Sequence, residues 1–189
     1  MARPDQLRGQ VEENLRQLGR DHLDLVNLRT LSVSMPVGEH FAVLAELRDA
    51  GLIRCLGLSN VTVEQIDEAR QIAPVATVQN RYSVDSRRPE ADEVLSACAK
   101  RGIAFVPFFA IAGQGREDGK SAGEPEPVLA AARSHDATPA QVRLAWTLAQ
   151  GSHVLAIPGT GSLTHLAENV AAGALRLTDE ELALLGSLA

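Results

Sequence analysis

The sequence predicts an α/β fold in which parallel strands alternate with helices. Short apolar runs of four to six residues recur along the chain, and an amphipathic helical pattern separates each run from the next. Hydrophobic residues make up 45% of the 189 residues, enough for a packed core, while aromatic residues make up only 3%. Strands that are apolar throughout are typical of a parallel sheet covered by helices.

Each predicted strand is an apolar run that ends at a polar or turn residue. The five strands cover residues 23–28, 53–58, 75–78, 103–108 and 154–157. The helices are predicted from apolar residues that recur every three or four positions, and glycines end several of them. They cover residues 5–18, 39–50, 62–72, 89–100, 127–134 and 139–150, with two more starting at 163 and 179. We expect a single domain over residues 1–189. This order fits either an open doubly wound sheet or part of an eight-stranded barrel.

Polar residues gather where the predicted strands end, and in both architectures active sites lie at the carboxyl ends of the strands. They are Arg29, Ser59, Asn60, Gln79, Asn80, Thr160 and Ser162. Residues 158–162 also lead into a helix, whose free N–H groups and dipole favour phosphate. An ordinary helix cap is the alternative. The first strand is not followed by a Gly-x-Gly-x-x-Gly motif, which weakens the open-sheet dinucleotide fold.

Composition excludes several classes of function. A net charge of −6 argues against nucleic acid as a partner, and no apolar run is long enough for a membrane span. The five histidines are scattered without ligand spacing, so we expect no metal site. Cys55 and Cys98 lie in apolar surroundings and are predicted to be buried free thiols, which fits a cytoplasmic location. The glycine-rich stretch 113–124 is either a connector or a lid over a ligand.

Five segments, in the same order along the chain, resemble motifs of the aldo-keto reductase family. Residues 15–25 resemble the family's SLxRLgxDyiDLy, and residues 50–60 resemble GkiRxiGvSN. Residues 78–83 resemble vQnxYs, residues 139–146 resemble tpaQvaLaW, and residues 157–169 resemble IPGTxsxxHLxEN. The resemblance runs from about residue 7 to the end and suggests the carboxyl-terminal part of the family, about strands four to eight.

The resemblance implies part of a (β/α)8 TIM barrel that binds NADP, with NAD possible, and passes hydride to an aldehyde or ketone. By position it assigns the nicotinamide carboxamide to Ser59, Asn60 and Gln79, and nicotinamide stacking to Phe108. It assigns the adenosine phosphate and adenine to Gly159, Thr160, Gly161, His165, Glu168 and Asn169. His165 stands where many relatives carry Arg. Structural alternatives accompany these roles: a turn for Ser59 and Asn60, backbone hydrogen bonding for Gln79 and Asn169, and core packing for Phe108.

The resemblance also has departures. The family's catalytic Asp, Tyr and Lys come from its first three strands, and this sequence has no counterpart of them. The family's catalytic His position carries Arg29, the only catalytic candidate here. An arginine is always charged, so it can polarise a carbonyl oxygen or hold an anion but cannot act as an ordinary general acid. A salt-bridge partner at the barrel mouth is the alternative reading.

Two functions therefore compete. The first is an aldo-keto reductase whose amino-terminal catalytic segment is absent from this sequence, and the second is a non-catalytic nucleotide-binding remnant. A phosphate-binding isomerase or aldolase is a more distant third. Five strands of a barrel leave two open sheet edges, which are templates for intermolecular pairing. We therefore expect the isolated chain to be marginally stable or to self-associate.

Overall fold

The computed structural model describes residues 3–32, 35–85, 87–111 and 123–188. The predicted connector or lid at 113–124 lies outside them, except for Gly123 and Glu124. The chain forms two compact units. Unit 1 comprises Met1–Asn80 and Glu93–Phe105, and unit 2 comprises Arg81–Asp92 and Val106–Ala189. The expected single domain over 1–189 stays a prediction.

Unit 1 contains a four-stranded parallel sheet in sequential order. The strands are β1 (Leu23–Arg29), β2 (Ile53–Ser59), β3 (Thr77–Gln79) and β4 (Ala104–Phe105). The first four predicted strands are therefore confirmed, with shifted ends. The prediction that the fourth strand spans residues 103–108 is wrong at its carboxyl end. Its partner strand β3 ends at Gln79, and beyond Phe105 only Phe108 pairs, in an isolated bridge with Arg81.

The fifth predicted strand, residues 154–157, is not a strand in the structure. Only Val154 makes a single bridge there, and its N–H donates to the Gly151 carbonyl at 3.1 Å, a local turn contact. Leu155 and Ile157 remain about half exposed. The apolar run has strand composition, but a strand forms only where a neighbouring backbone supplies its hydrogen bonds.

Helices cover the strands of unit 1. They are α1 (Pro4–Leu18), α2 (Gly38–Asp49), α3 (Val63–Arg70) and α4 (Pro89–Arg101), whose first residues belong to unit 2. Thr62 caps α3 through a capping box with Gln65. Glu68 of α3 accepts hydrogen bonds from the N–H groups of Val37 and Gly38, at 3.2 and 2.8 Å. A carboxylate on α3 thus satisfies the N-terminus of the preceding helix, α2.

Unit 2 is built on helix α6. Its helices are α5 (Glu126–Ser134), α6 (Pro139–Leu148), α7 (Leu163–Ala171) and α8 (Asp179–Gly186), with a short 3₁₀ turn at Ala172–Ala174. All residues from Val142 to Thr147 are buried, whereas α7 has no buried residue. Within the described ranges, no helix is both long and apolar enough to cross a bilayer.

The two cysteines differ in their surroundings. Both are free thiols, and Cys98 is buried as predicted, which raises its pKa to about 12. The prediction that Cys55 is buried is wrong. Cys55 lies in β2 opposite Leu25 of β1, which is 42% exposed, so this part of the sheet face is open to solvent.

Candidate functional site

Unit 1 aligns three of the predicted site residues in one row. In the sheet register, Arg29 of β1 is opposite Ser59 of β2, and Ser59 is opposite Gln79 of β3. Each is the last residue of its strand. Residues opposite one another in adjacent strands direct their side chains to the same face of a sheet. The polar strand ends seen in the sequence therefore form a continuous polar edge.

The polar groups of these three side chains have no partner among the described residues. Within the described part of the chain, the Arg29 guanidinium, the Ser59 hydroxyl and the Gln79 amide make no hydrogen bond or ion pair to protein. Ser59 is only 6% exposed, yet its hydroxyl has no protein partner. Buried polar groups normally have hydrogen-bond partners. A row of polar side chains without partners in the protein therefore suits a polar ligand.

Asn60, the fourth predicted residue at this edge, has a structural role. Its backbone is left-handed, with φ of 62°, and its Nδ2 donates to the Thr30 carbonyl at 3.2 Å. The Thr30 hydroxyl in turn donates to the Asn60 carbonyl. The Asn60 side chain therefore joins the ends of β1 and β2, and its Oδ1 and the second Nδ2 hydrogen are left for a ligand. Asn80 is similarly engaged, because its amide exchanges hydrogen bonds with the backbone of Val61.

Phe108 lies in unit 2, just after β4, and its ring is partly buried. Its backbone pairs with Arg81, and the ring meets that of Phe109 edge to face, with centroids 5.3 Å apart. Phe109 is a non-glycine residue at a φ of 64°, and the Arg81 guanidinium stands 5.1 Å from its ring centroid. A left-handed aromatic residue is strained, and such strain is found at functional sites. The contacts leave part of Phe108 open for stacking.

The predicted phosphate turn is exposed and precedes a helix. Gly159, Thr160 and Gly161 are exposed, and a Cβ at either glycine would meet no atom within 4 Å. Helix α7 starts at Leu163 as predicted, with Ser162 as its N-cap. The Ser162 hydroxyl accepts from the N–H of His165 at 3.4 Å, so one helix N–H is already satisfied. Both the cap and the open glycine turn are therefore present.

The adenine candidates lie on the next turns of α7. His165 is exposed, and the Glu168 carbonyl accepts from Gln141 at 3.1 Å. Asn169 gives the strongest indication of a ligand among these residues. Its Nδ2 is buried and has no hydrogen-bond partner within the described residues. Asn169 lines a cavity of about 340 Å³ with Leu144, Leu148, Val154, Leu155, Ala156, Pro158, Leu166, Val170 and Gly173. A buried donor without a partner beside an apolar cavity suits a planar group that carries an acceptor.

Sequence reasoning missed three residues that shape these sites. Thr30 locks Asn60, Arg81 holds Phe109, and Arg143 is a buried arginine that pairs with two carboxylates. Their partners are far away in sequence, so no local pattern reveals them. The one available signal is Arg143 itself, a charged residue on the apolar face of a predicted helix.

The chain belongs to the Aldo/keto reductase family, whose sequence profile matches residues 1–189. It is 40% identical over 191 residues to pyridoxine 4-dehydrogenase of Escherichia coli, covering 98% of this chain and 64% of that protein. It is 36% identical to an uncharacterized oxidoreductase of Schizosaccharomyces pombe, covering 96% of this chain and 57% of that protein. The chain thus spans about 60% of the length of these curated relatives.

Solved structures agree on the fold. A thermostable aldo-keto reductase in complex with epalrestat superposes with a TM-score of 0.87 and 33% identity, over 99% of this chain and 67% of that one. An aldo-keto reductase of Klebsiella pneumoniae in complex with NADPH superposes with a TM-score of 0.80 and 30% identity, over 94% of this chain and 62% of that one. The predicted α/β class, a partial (β/α)8 barrel, is therefore confirmed, with four strands in the sheet instead of five.

The residues present fit a nicotinamide nucleotide. Ser59 and Gln79 offer an uncommitted hydroxyl and amide, which match the donor and acceptor of a carboxamide. The Asn169 Nδ2 is the orphaned buried donor that an adenine ring nitrogen would satisfy. Within the described part of the chain, no group of three or more His, Cys, Asp or Glu side chains is placed to hold a metal ion.

Proposed function

We propose that this chain is the nucleotide-binding portion of an NADP(H)-dependent oxidoreductase that interconverts a small carbonyl compound and its alcohol. The row of Arg29, Ser59 and Gln79 carries the proposal, because three adjacent strands end in polar side chains that the fold leaves uncommitted. Similarity supports it. Relatives about 30% identical have been solved with NADPH and with NADP, and a curated relative is a dehydrogenase.

Each group of residues would hold one part of the cofactor. Ser59 and Gln79, with Asn60 Oδ1, would bind the nicotinamide carboxamide, and Phe108 would stack on the ring. The exposed turn at 159–161 and His165 would contact the adenosine phosphate, while Glu168 and Asn169 would contact adenine. The bound cofactor supplies the hydride. The residues of this chain orient the cofactor and exclude water from its nicotinamide ring.

Arg29 would act on the substrate. Its guanidinium lies in the same row as Ser59 and is always positively charged. A fixed positive charge there holds a carbonyl oxygen and stabilises negative charge that develops on it. Arg29 does not deliver the proton that completes reduction, because guanidinium groups are not deprotonated in proteins. The Tyr82 hydroxyl is also excluded as donor, since it donates to Asp92 at 2.9 Å and burial raises its pKa.

The proposal also covers the substrate, the cellular environment and the self-association of the chain. We infer a small carbonyl substrate, a reducing cytoplasmic environment that keeps both cysteines free, and association of copies through the open edge of β1. Two features support the last two inferences: the buried thiol of Cys98, and the fact that β1 pairs with β2 alone within the described residues.

Titration of the chain with NADPH, followed by cofactor fluorescence, tests the proposal. Ser59→Ala and Gln79→Ala should each weaken binding about tenfold, since one lost hydrogen bond corresponds to roughly 1–1.5 kcal/mol. Ser96→Ala and Gln10→Ala remove the same groups from exposed helix positions and should leave binding unchanged. Wild-type chain that shows no saturable binding would refute the proposal.

Turnover is measured separately. A panel of aldehydes, followed by loss of NADPH absorbance, reports oxidation of the bound cofactor. Arg29→Leu should lower any turnover at least tenfold while the NADPH dissociation constant changes less than twofold, because Arg29 is proposed to hold the substrate oxygen. Equal losses in binding and turnover would mean that Arg29 serves the cofactor instead.

A further inference from the structure

Arg143 is the least expected buried residue in unit 2. It lies on α6, and its side chain is 1% exposed. The family motif that residues 139–146 resemble does not require a charge at this position. A buried guanidinium is unfavourable unless every charge and donor is matched, so the surroundings of Arg143 must supply anionic partners.

Two carboxylates, from two different loop segments, are the anionic partners of Arg143. Arg143 Nη1 donates to Asp85 Oδ2 at 2.5 Å, and Nη2 and Nε donate to Glu124 Oε2 at 2.8 and 3.2 Å. Asp85 belongs to the segment between β3 and α4, and Glu124 belongs to the segment between β4 and α5. One planar side chain, with donors in a rigid fork, therefore ties two strand-following segments to α6.

The same two segments meet at a second place, at Phe108. The Arg81 backbone pairs with Phe108, and the Tyr82 N–H donates to the Phe108 carbonyl at 3.4 Å. Asp85 follows Tyr82 by only three residues. The position of the Phe108 backbone therefore depends on residues 81–85, and the far end of that stretch is held by Arg143.

Helix α6 supports this stretch one turn further along. Trp146 stacks on Tyr82, with centroids 5.8 Å apart and planes 15° from parallel. The Tyr82 hydroxyl donates to Asp92, and the Trp146 Nε1–H donates to the Leu182 carbonyl at 3.3 Å. Residues 81–85 are thus held by an aromatic stack at one end and by an ion pair at the other.

We propose that Arg143 is a positioning residue that fixes the Phe108 ring in the place where it stacks on nicotinamide. Arg143 acts through Asp85 and Glu124 and does not touch the cofactor. The proposal rests on the cofactor site proposed above. In the competing, purely structural role, the arginine only neutralises two carboxylates. Three uncharged side chains of similar shape would then replace Arg143, Asp85 and Glu124.

Three variants separate the two roles. Arg143→Met removes the cation that pairs with both carboxylates. The triple variant R143M/D85N/E124Q removes all three charges together. Arg143→Lys keeps a charge, but an ammonium cannot reproduce the fork that reaches both carboxylates. Arg133→Met is the control, because its ion pair with Glu126 joins two side chains that are 65% and 71% exposed.

Two readouts are used: thermal melting, and NADPH affinity by fluorescence. For R143M we expect a lower melting temperature and a dissociation constant raised at least tenfold. The triple variant should recover most of the melting temperature while its dissociation constant stays at least fivefold above wild type. Arg143→Lys should fall between wild type and R143M, and R133M should match wild type in both. Recovery of affinity in the triple variant would overturn the proposal.

Hydrogen exchange makes the result independent of cofactor binding. If Arg143 positions both segments, amides at 81–85 and 106–111 should exchange at least fivefold faster in R143K, whereas those of α8 should not change. Unchanged exchange in both segments would overturn the positioning role even if NADPH binds. If wild-type chain fails to bind NADPH while exchange responds as expected, the cofactor site is wrong and Arg143 still positions the two segments. R143K and the triple variant keep the test decisive if R143M does not fold.

Discussion

At residue 57 the sheet of unit 1 has no room for a side chain. Gly57 lies in the register between Asn27 of β1 and Thr77 of β3. The Thr77 hydroxyl donates to Asn27 Oδ1 at 2.8 Å, so this hydrogen bond passes over the glycine and links strands that are not neighbours. The contact lies one row below Arg29, Ser59 and Gln79 and supports their alignment.

Gly57→Ala should therefore destabilise the chain. The new Cβ would lie 1.9 Å from Asn27 Oδ1 and 2.1 Å from Thr77 Oγ1, and the Thr77 carbonyl, a backbone atom, is only 3.0 Å away. Overpacking and loss of the hydrogen bond together predict about 2–3 kcal/mol lower unfolding free energy, measured by urea denaturation. The control is Gly9→Ala in α1, where no atom lies within 4 Å. It should stabilise by about 0.5–1 kcal/mol. Equal effects at both positions would contradict this explanation.

Residue by residue, the sequence predicted chemistry that is local and missed chemistry that is not. The alignment of Ser59 and Gln79 at one sheet edge could be predicted because polar residues at the ends of apolar strands are visible in the sequence. The lock between Thr30 and Asn60 joins residues 30 positions apart, and the pair of Asp85 and Arg143 spans 58. Neither separation follows a helix or strand period, so only the folded chain reveals these partners.

Among the elements, helices α5 and α8 are joined by a polar contact. His135 Nε2 lies 2.8 Å from Glu181 Oε2, and the Ser134 hydroxyl donates to Glu181 Oε1 at 2.9 Å. Glu181 also accepts from the Thr178 N–H in the capping box that begins α8. Burial raises the pKa of Glu181, but the hydrogen bonds from His135, Thr178 and Ser134 outweigh it and lower the pKa to about 2.

This contact makes stability depend on pH in a defined window. Because the pKa of Glu181 falls from 4.5 to about 2 on folding, its contribution is full above pH 4.5 and is lost as the pH falls towards 2. Solvent screening keeps that contribution to roughly 1–2 kcal/mol. Urea denaturation at several pH values should show Glu181→Gln less stable than wild type at pH 7, with the difference vanishing near pH 2. Glu180→Gln removes a neighbouring first-turn charge and should change stability far less. A difference between wild type and E181Q that persists at pH 2 would contradict the mechanism.

Helices were easier to predict than strands, and the reason is physical. Thr138 followed by Pro139 predicts the start of α6, because a helix N-terminus is satisfied by its own residues. Residues 154–157 have equally clear strand composition, yet no ladder forms there. A helix contains all its hydrogen-bond partners, whereas a strand depends on a second strand whose position the local sequence does not encode.

For the whole molecule, the relevant surface is the edge of the sheet at β1, which pairs with β2 alone within the described residues. The Leu23 N–H donates inward, to the Leu52 carbonyl at 2.9 Å. Because strand backbones alternate, every second residue of β1 directs its N–H and C=O groups to the other edge, where the described residues contain no further strand. Leu25 is 42% exposed on this strand. A seven-residue edge with an exposed leucine is a template for pairing with another copy.

We therefore expect the purified chain to sediment as a concentration-dependent oligomer. Leu25→Lys should raise the ratio of monomer to oligomer at least threefold at equal concentration. A lysine on an edge strand opposes pairing, since two like charges would meet across the new ladder. Leu163→Lys is the matched control, because Leu163 is 86% exposed on α7 but lies on no sheet edge. If L163K rather than L25K releases monomer, the apolar face of α7 is the contact surface and the edge of β1 is not. A wild-type monomer at every concentration would show that neither surface pairs, and that the edge strand alone does not drive association.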